Sequence, residues 1–297
     1  RRASAVPTNE QRRETAKRKL ERQLERRAKQ ARRRRLMTII GAVVALATVV
    51  AVVLTFVLGD DDPEGSTVAS ATTPAPSSSA APASAPGQLP AFKAAADLGA
   101  NCEYTPTPEP ASKKVDPPHG GKVPTDPATV SVSMATNEGN IGLQLDNAKS
   151  PCTVNNFASL AQKGFFNDTP CHRLTTSQGL GVLQCGDPSG SGAGGPGYQF
   201  ANEYPTDQYP KGDPALQDPV NYPRGTLAMA NAGPGTNGSQ FFLVYKDSQL
   251  PPGYTVFGTI DQTGLATLDK IAAAGVAGGG QDGKPPTPVQ IKSVLLD

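Results

Sequence analysis

The stretch that decides the fold runs Gly225-Thr-Leu-Ala-Met-Ala-Asn231-Ala-Gly-Pro-Gly-Thr-Asn-Gly-Ser-Gln240-Phe-Phe242. Its ends read as two short strands, Gly225–Ala230 and Gln240–Tyr245, joined by a turn-rich segment of Gly, Pro and Asn. Similar short runs recur on both sides. Val130–Met134 and Ile141–Leu145 alternate apolar and polar residues across the Asn137-Glu138-Gly139-Asn140 turn, which predicts a hairpin. Further strands are expected at Cys171–Leu174, Leu180–Gln184, Thr255–Ile260 and Val289–Leu296. Two helices interrupt them. One spans Cys152–Lys163, with apolar residues at helical spacing and Gly164 as its C-terminal stop; the other spans Leu265–Ala274. Many short strands and two helices suggest a closed antiparallel barrel over residues 125–297.

The N-terminal part has a different texture. Residues 1–35 hold 15 Lys or Arg and 4 Glu, while the remainder of the 297-residue chain is net acidic, so the overall +2 conceals a strong polarity. Glu14 and Arg18, and Glu25 and Lys29, have the i,i+4 order that supports a helix. This basic arm has no interleaved aromatics, which argues against nucleic acid and for anionic lipid or solvent. Residues 36–58 follow without a charge, from Leu36 to Leu58. At 1.5 Å per residue they span roughly 34 Å, enough for a bilayer core of about 30 Å. Arg32–Arg35 precede them and Asp60–Asp62 follow, so the arm is expected in the cytoplasm and the rest outside the cell membrane. A cleaved secretory signal would carry a shorter apolar run. Residues 59–124 are then expected as an Ala/Pro/Ser/Thr-rich linker and extension, whose 91–124 part, with Phe92, Leu98, Cys102 and Tyr104, docks on the domain.

The opening stretch, together with His172-Arg173 and Val182-Leu-Gln184-Cys-Gly-Asp187, resembles the signature segments of cyclophilins. Pro151-x-Thr153-Val-Asn-Asn-Phe157, Gly164-Phe-Phe-Asn167 and Val256-Phe-Gly258 fit the same family in the same order, over about 170 residues. The resemblance implies a closed eight-stranded barrel capped by two helices, and a peptidyl-prolyl cis–trans isomerase that uses no metal or cofactor. It implies Arg173 as donor to the prolyl nitrogen, Phe242 as floor of the proline pocket, and Val182 and Leu250 as its walls. Gln184 and Asn231 would hydrogen-bond the substrate backbone, and Ala230, Ala232 and Gln240 would shape the neighbouring groove. His172 is expected as a structural hydrogen-bonder.

The chain departs from the family pattern in places. Gly181-Val182 stands where Phe and Met are usual, so Leu180 is expected to supply a missing wall. Gln249 and Tyr254 stand where Trp and a rim His are common, which implies altered rate and preference and weak binding of cyclosporin. Gly190-Ser-Gly192-Ala-Gly-Gly195 satisfies a dinucleotide fingerprint, but Pro196 and Gly197 follow it, so no helix N-terminus is there to receive a phosphate. Four cysteines, Cys102, Cys152, Cys171 and Cys185, allow three full pairings. Cys171 and Cys185 lie on strands expected to pair. The expected partners are proline-containing segments of exported or unfolded proteins, and membrane lipid; the domain is expected to be monomeric. A proline-binding module with little turnover is the alternative reading.

Overall fold

A computed structural model of the chain describes residues 87–297. The basic arm, the apolar stretch 36–58 and the linker up to residue 86 lie outside the described residues. Among the described residues no helix is long and apolar enough to cross a membrane.

The expected hairpin forms as β2 (Thr129–Thr136) and β3 (Gly139–Asp146), in register from Thr129↔Asp146 to Thr136↔Gly139. Helix α1 (Pro151–Gln162) follows, with Pro at its first turn, where a missing N–H costs nothing. Gly164 ends it at φ +63°, a conformation that favours glycine. Then come β4 (Thr169–Cys171), β5 (Arg173–Ser177) and β6 (Leu180–Cys185). After a long glycine-rich segment come β9 (Thr226–Met229), β10 (Phe241–Lys246) and β12 (Val256–Ile260). Helix α2 (Gln262–Ala273) starts earlier than its apolar period suggests, because Asp261 caps it by accepting the Gly264 N–H. Strand β13 (Asp282–Gly283) precedes the last strand, β14 (Val289–Leu296).

These strands form one antiparallel ladder in the order β13-β5-β6-β10-β9-β12-β3-β2-β14-β4. The expected closed, eight-stranded barrel is therefore corrected: the ladder has ten strands, and its end strands, β13 and β4, do not pair with each other. The reason lies at His172. The run Cys171–Leu174 is not one strand. Residues 169–171 pair with β14, whereas Arg173–Ser177 pairs with β6 near the opposite end of the ladder. Chain continuity, a single bond from the His172 N–H to the Gln184 carbonyl (3.0 Å) and the Cys171–Cys185 disulfide connect β4 to β5 and β6.

Two further two-stranded pairs complete the described fold: β1 (Thr105–Pro106) with β7 (Tyr198–Gln199), and β8 (Val220–Tyr222) with β11 (Ser248–Leu250). The period-2 alternation of strands divides the apolar residues into two sets. Leu183 and Cys185 of β6, Phe241 and Leu243 of β10, and Leu227 and Met229 of β9 join the main core under the helices, where Phe157, Phe166 and Phe257 pack. The intervening residues Val182, Phe242, Val244 and Ala228 form a second cluster with Val220 and Tyr222. Leu180, Ala230, Leu250 and Tyr254 border that cluster without being fully buried, so this face of the sheet is the one left open to a ligand.

Residues 99–124 dock along α1. A disulfide joins Cys102 to Cys152, the Tyr104 hydroxyl donates to the Cys152 carbonyl (2.7 Å), and the Lys113 ammonium donates to the carbonyls of Gly164 (2.6 Å) and Asn167 (3.1 Å).

Candidate active site

The register of the ladder sets four side-chain positions in a row across neighbouring strands. Arg173 of β5 faces Gln184 of β6, Gln184 faces Phe242 of β10, and Phe242 faces Ala228 of β9. Around this row lies a pocket of about 190 Å³ lined by Arg173, Leu180, Val182, Gln184, Ala230, Asn231, Phe242, Leu250 and Tyr254. Residues separated by up to 81 positions in sequence thus meet in one cavity. Ala232 and Gln240, expected to shape the neighbouring groove, line an adjoining pocket of about 350 Å³ that shares Gln184, Ala230 and Asn231 with the first.

Phe242 is nearly buried, at 4% exposure, and its ring is held edge-on by Tyr254, with centroids 5.7 Å apart. Tyr222 lies beside it and donates its hydroxyl to the Tyr254 carbonyl (3.0 Å). Its burial raises its pKa, so the hydroxyl stays a donor at any physiological pH. The pocket is a slot with one aromatic face and aliphatic edges.

The polar side of the slot is a chain of hydrogen bonds. The Arg173 guanidinium donates from Nε and Nη2 to the two carboxylate oxygens of Asp282, at 2.8 and 2.7 Å, and from Nη1 to Gln184 Oε1 at 3.1 Å. Gln184 Nε2 donates to Gln240 Oε1 (2.9 Å), and Gln240 Nε2 donates to the carbonyls of Gly192 and Gly194 (3.1 and 2.9 Å). The hydrogen bond from Arg173 and its charge hold the Asp282 carboxyl below its usual value. Asn231 is fixed by donating to the Gly253 carbonyl (2.8 Å) and accepting the Gly233 N–H (3.1 Å).

The glycine-rich loop that mimicked a dinucleotide fingerprint folds around Asp187. That carboxylate accepts the N–H groups of Ser189, Gly192 and Gly194 at 2.8, 2.7 and 3.1 Å. Burial pushes its pKa up, but these bonds and the Ser189 hydroxyl outweigh burial and hold it below the ordinary value. The loop's anion seat is filled by the protein's own side chain. His172 corrects an expectation, because neither of its ring nitrogens has a hydrogen-bond partner among the described residues. Burial lowers its pKa, so it is a neutral packing group beneath the loop.

Two participants carried no sequence signal. Asp282 lies 109 residues from Arg173 and in no recognisable motif. The second groove has part of its wall built by Thr107, Glu109 and Pro110 of the docked extension, a segment whose composition gives no such indication. No group of His, Cys, Asp and Glu among the described residues could hold a metal ion.

Sequence comparison shows the family. The family profile "Cyclophilin type peptidyl-prolyl cis-trans isomerase/CLD" matches residues 131–295, more than half of the chain. The chain is 68% identical over 292 residues to a probable peptidyl-prolyl cis-trans isomerase B of Mycobacterium tuberculosis, covering 98% of this chain and 95% of that one. It is 64% identical to the Mycobacterium leprae protein of the same name, covering 98% of this chain and 100% of that one. A Cryptosporidium parvum cyclophilin-type isomerase, solved in the presence of the dipeptide Ala-Pro, is 30% identical, with 56% of this chain and 98% of that one covered and a TM-score of 0.44. The apolar slot with its adjacent guanidinium and the family match lead to one conclusion: this chain belongs to the cyclophilin-type peptidyl-prolyl cis–trans isomerases, a family of protein-folding catalysts.

Proposed function

We propose that Arg173 stabilises the twisted amide of an X–Pro bond while Phe242 holds the proline ring in the slot. The planar amide resists rotation with a barrier of about 18–20 kcal/mol because its C–N bond is partly double. Rotation through the perpendicular geometry returns the lone pair to the prolyl nitrogen. A donor aimed at that nitrogen therefore binds the transition state better than either planar form. Arg173 suits the role because its charge persists at every physiological pH. Gln184 and Asn231 hold the substrate backbone on either side, Val182, Leu180 and Leu250 close the slot, and Tyr254 forms its rim. Ala230, Ala232 and Gln240 shape the continuing groove. Nothing covalent forms and no cofactor enters.

The observation that carries this reading is the register row Arg173–Gln184–Phe242, which sets a cation and an aromatic floor in the wall of one pocket of about 190 Å³. Replacing Phe242→Ala removes the slot's floor. A proline-containing peptide titrated by NMR should then bind at least tenfold more weakly, and unchanged affinity in a folded variant would remove Phe242 from the site.

The same proposal extends to location. The basic arm 1–35, the uncharged 36–58 stretch and the 59–86 linker support a single-pass anchor with the isomerase domain outside the membrane, acting as a monomer on proline segments of exported proteins.

A further inference from the structure

The 350 Å³ pocket next to the proline slot is walled on one side by the docked extension. The extension is held rigidly there. β1 pairs with β7 at Thr105↔Gln199, the Thr107 N–H donates to the Gly197 carbonyl (3.0 Å), and the Ser112 N–H donates to the Gly195 carbonyl (2.9 Å). Upstream, the Cys102–Cys152 disulfide ties the same strap to α1. The strap is therefore a fixed part of the groove.

The electrostatics of that groove are simple. Of the residues that line it, Glu109 alone carries a formal charge. The rest are glycines, alanines, amides, hydroxyls, a tyrosine and prolines, and the floor is shared with the proline slot through Gln184, Ala230 and Asn231. One cation of the strap, Lys113, is turned onto the carbonyls of Gly164 and Asn167. Residues 87–297 also carry 13 basic against 18 acidic side chains, so the wider field has the same sign.

We infer that the strap makes this groove a selector for a cationic side chain, Lys or Arg, on the substrate close to the proline, with Glu109 as the specificity-determining residue. The inference rests on the substrate backbone passing over Gln184 and Asn231. The pocket has room for a long side chain, its alanines and prolines can pack the aliphatic stem, and its one carboxylate meets the charge at the end. An acidic side chain in the same place meets repulsion.

The test compares kcat/KM of the full chain on peptides that differ only at positions flanking one proline, each occupied in turn by Lys, norleucine or Glu. At one of those positions the wild type should prefer Lys over norleucine by about three- to tenfold, and disfavour Glu, with the preference shrinking as salt shortens the screening length. Glu109→Gln should bring the Lys-to-norleucine ratio close to one, and Glu109→Lys should invert the order of Lys and Glu. Equal ratios in wild type and both variants would overturn the inference. Failure of the underlying reading looks different: norleucine peptides would then turn over equally in wild type and Arg173→Ala.

Discussion

A guanidinium has five N–H donors, and Arg173 commits three of them: two to Asp282 and one to Gln184. One hydrogen on each terminal nitrogen remains for a substrate. Asp282 acts in two opposing ways, since it offsets part of the cation's charge and also freezes a side chain that carries about 2 kcal/mol of rotamer entropy. The pair is well exposed, with side chains 39% and 55% accessible, so solvent screens the charge term. Orientation therefore wins. Asp282→Ala should lower kcat/KM about three- to tenfold, mainly through kcat. In an Arg173→Ala background the same change should do nothing further, because the positioned group is gone. A variant within twofold of wild type, or an undiminished effect without Arg173, would show that Asp282 plays no part in positioning. Arg173 and Gln184 were legible from the sequence because both sit in short specific motifs. Asp282 was not, because its role arises only from the pairing Asp282↔Thr175, which brings a two-residue strand alongside β5.

At the scale of elements, α1 shows how a helix end can be served from elsewhere. No side chain at Ser150 caps it. Instead Glu203 accepts the N–H groups of Cys152 and Thr153 and the Thr153 hydroxyl, at 2.9, 2.7 and 2.6 Å. Burial pushes the Glu203 carboxyl up to about 7, against the downward pull of these three bonds. The folded state thus holds a proton that the unfolded chain releases near 4.5. Between about pH 4.5 and 7 the native state binds more protons than the unfolded state, so stability falls as pH rises through that window. The loss is on the order of 3 kcal/mol from a shift of this size. Denaturant unfolding across that range should show the wild type losing stability relative to Glu203→Gln, and parallel curves would contradict the assignment. The extension that crosses this helix end also has a clear energetic basis. The Cys102–Cys152 link spans 50 residues, and the chain-entropy account gives such a loop about 4 kcal/mol. Hairpin β2–β3, helix α1 and strand β14 were readable from periodicity and turns. Strands β1, β7, β8 and β13 were not, because two or three residues carry no period and exist only through their partners.

At the scale of the whole molecule, the chain divides by charge: a strongly basic arm, an uncharged span, then an acidic catalytic region. The proposed anchor predicts that the full chain stays with bilayers after alkaline carbonate extraction, and that protease added outside sealed cells removes the isomerase domain. Release into the supernatant would contradict it. The barrel expectation differed from the ladder because the sequence offered Cys171–Leu174 as a single strand, whereas a break at one residue, His172, lets neighbouring segments pair at opposite ends of a ten-stranded sheet. The slot did not depend on that detail. Its floor and polar side need β5, β6, β10 and β9 side by side, and Leu250 and Tyr254 complete its edge.

The most direct test is prolyl isomerisation of a proline-containing peptide by the full chain in detergent, wild type against Arg173→Ala. The account predicts a fast wild type and a variant at least tenfold slower, a barrier change of at least about 1.4 kcal/mol, with the fold retained. A folded Arg173→Ala protein that turns over at the wild-type rate would contradict it.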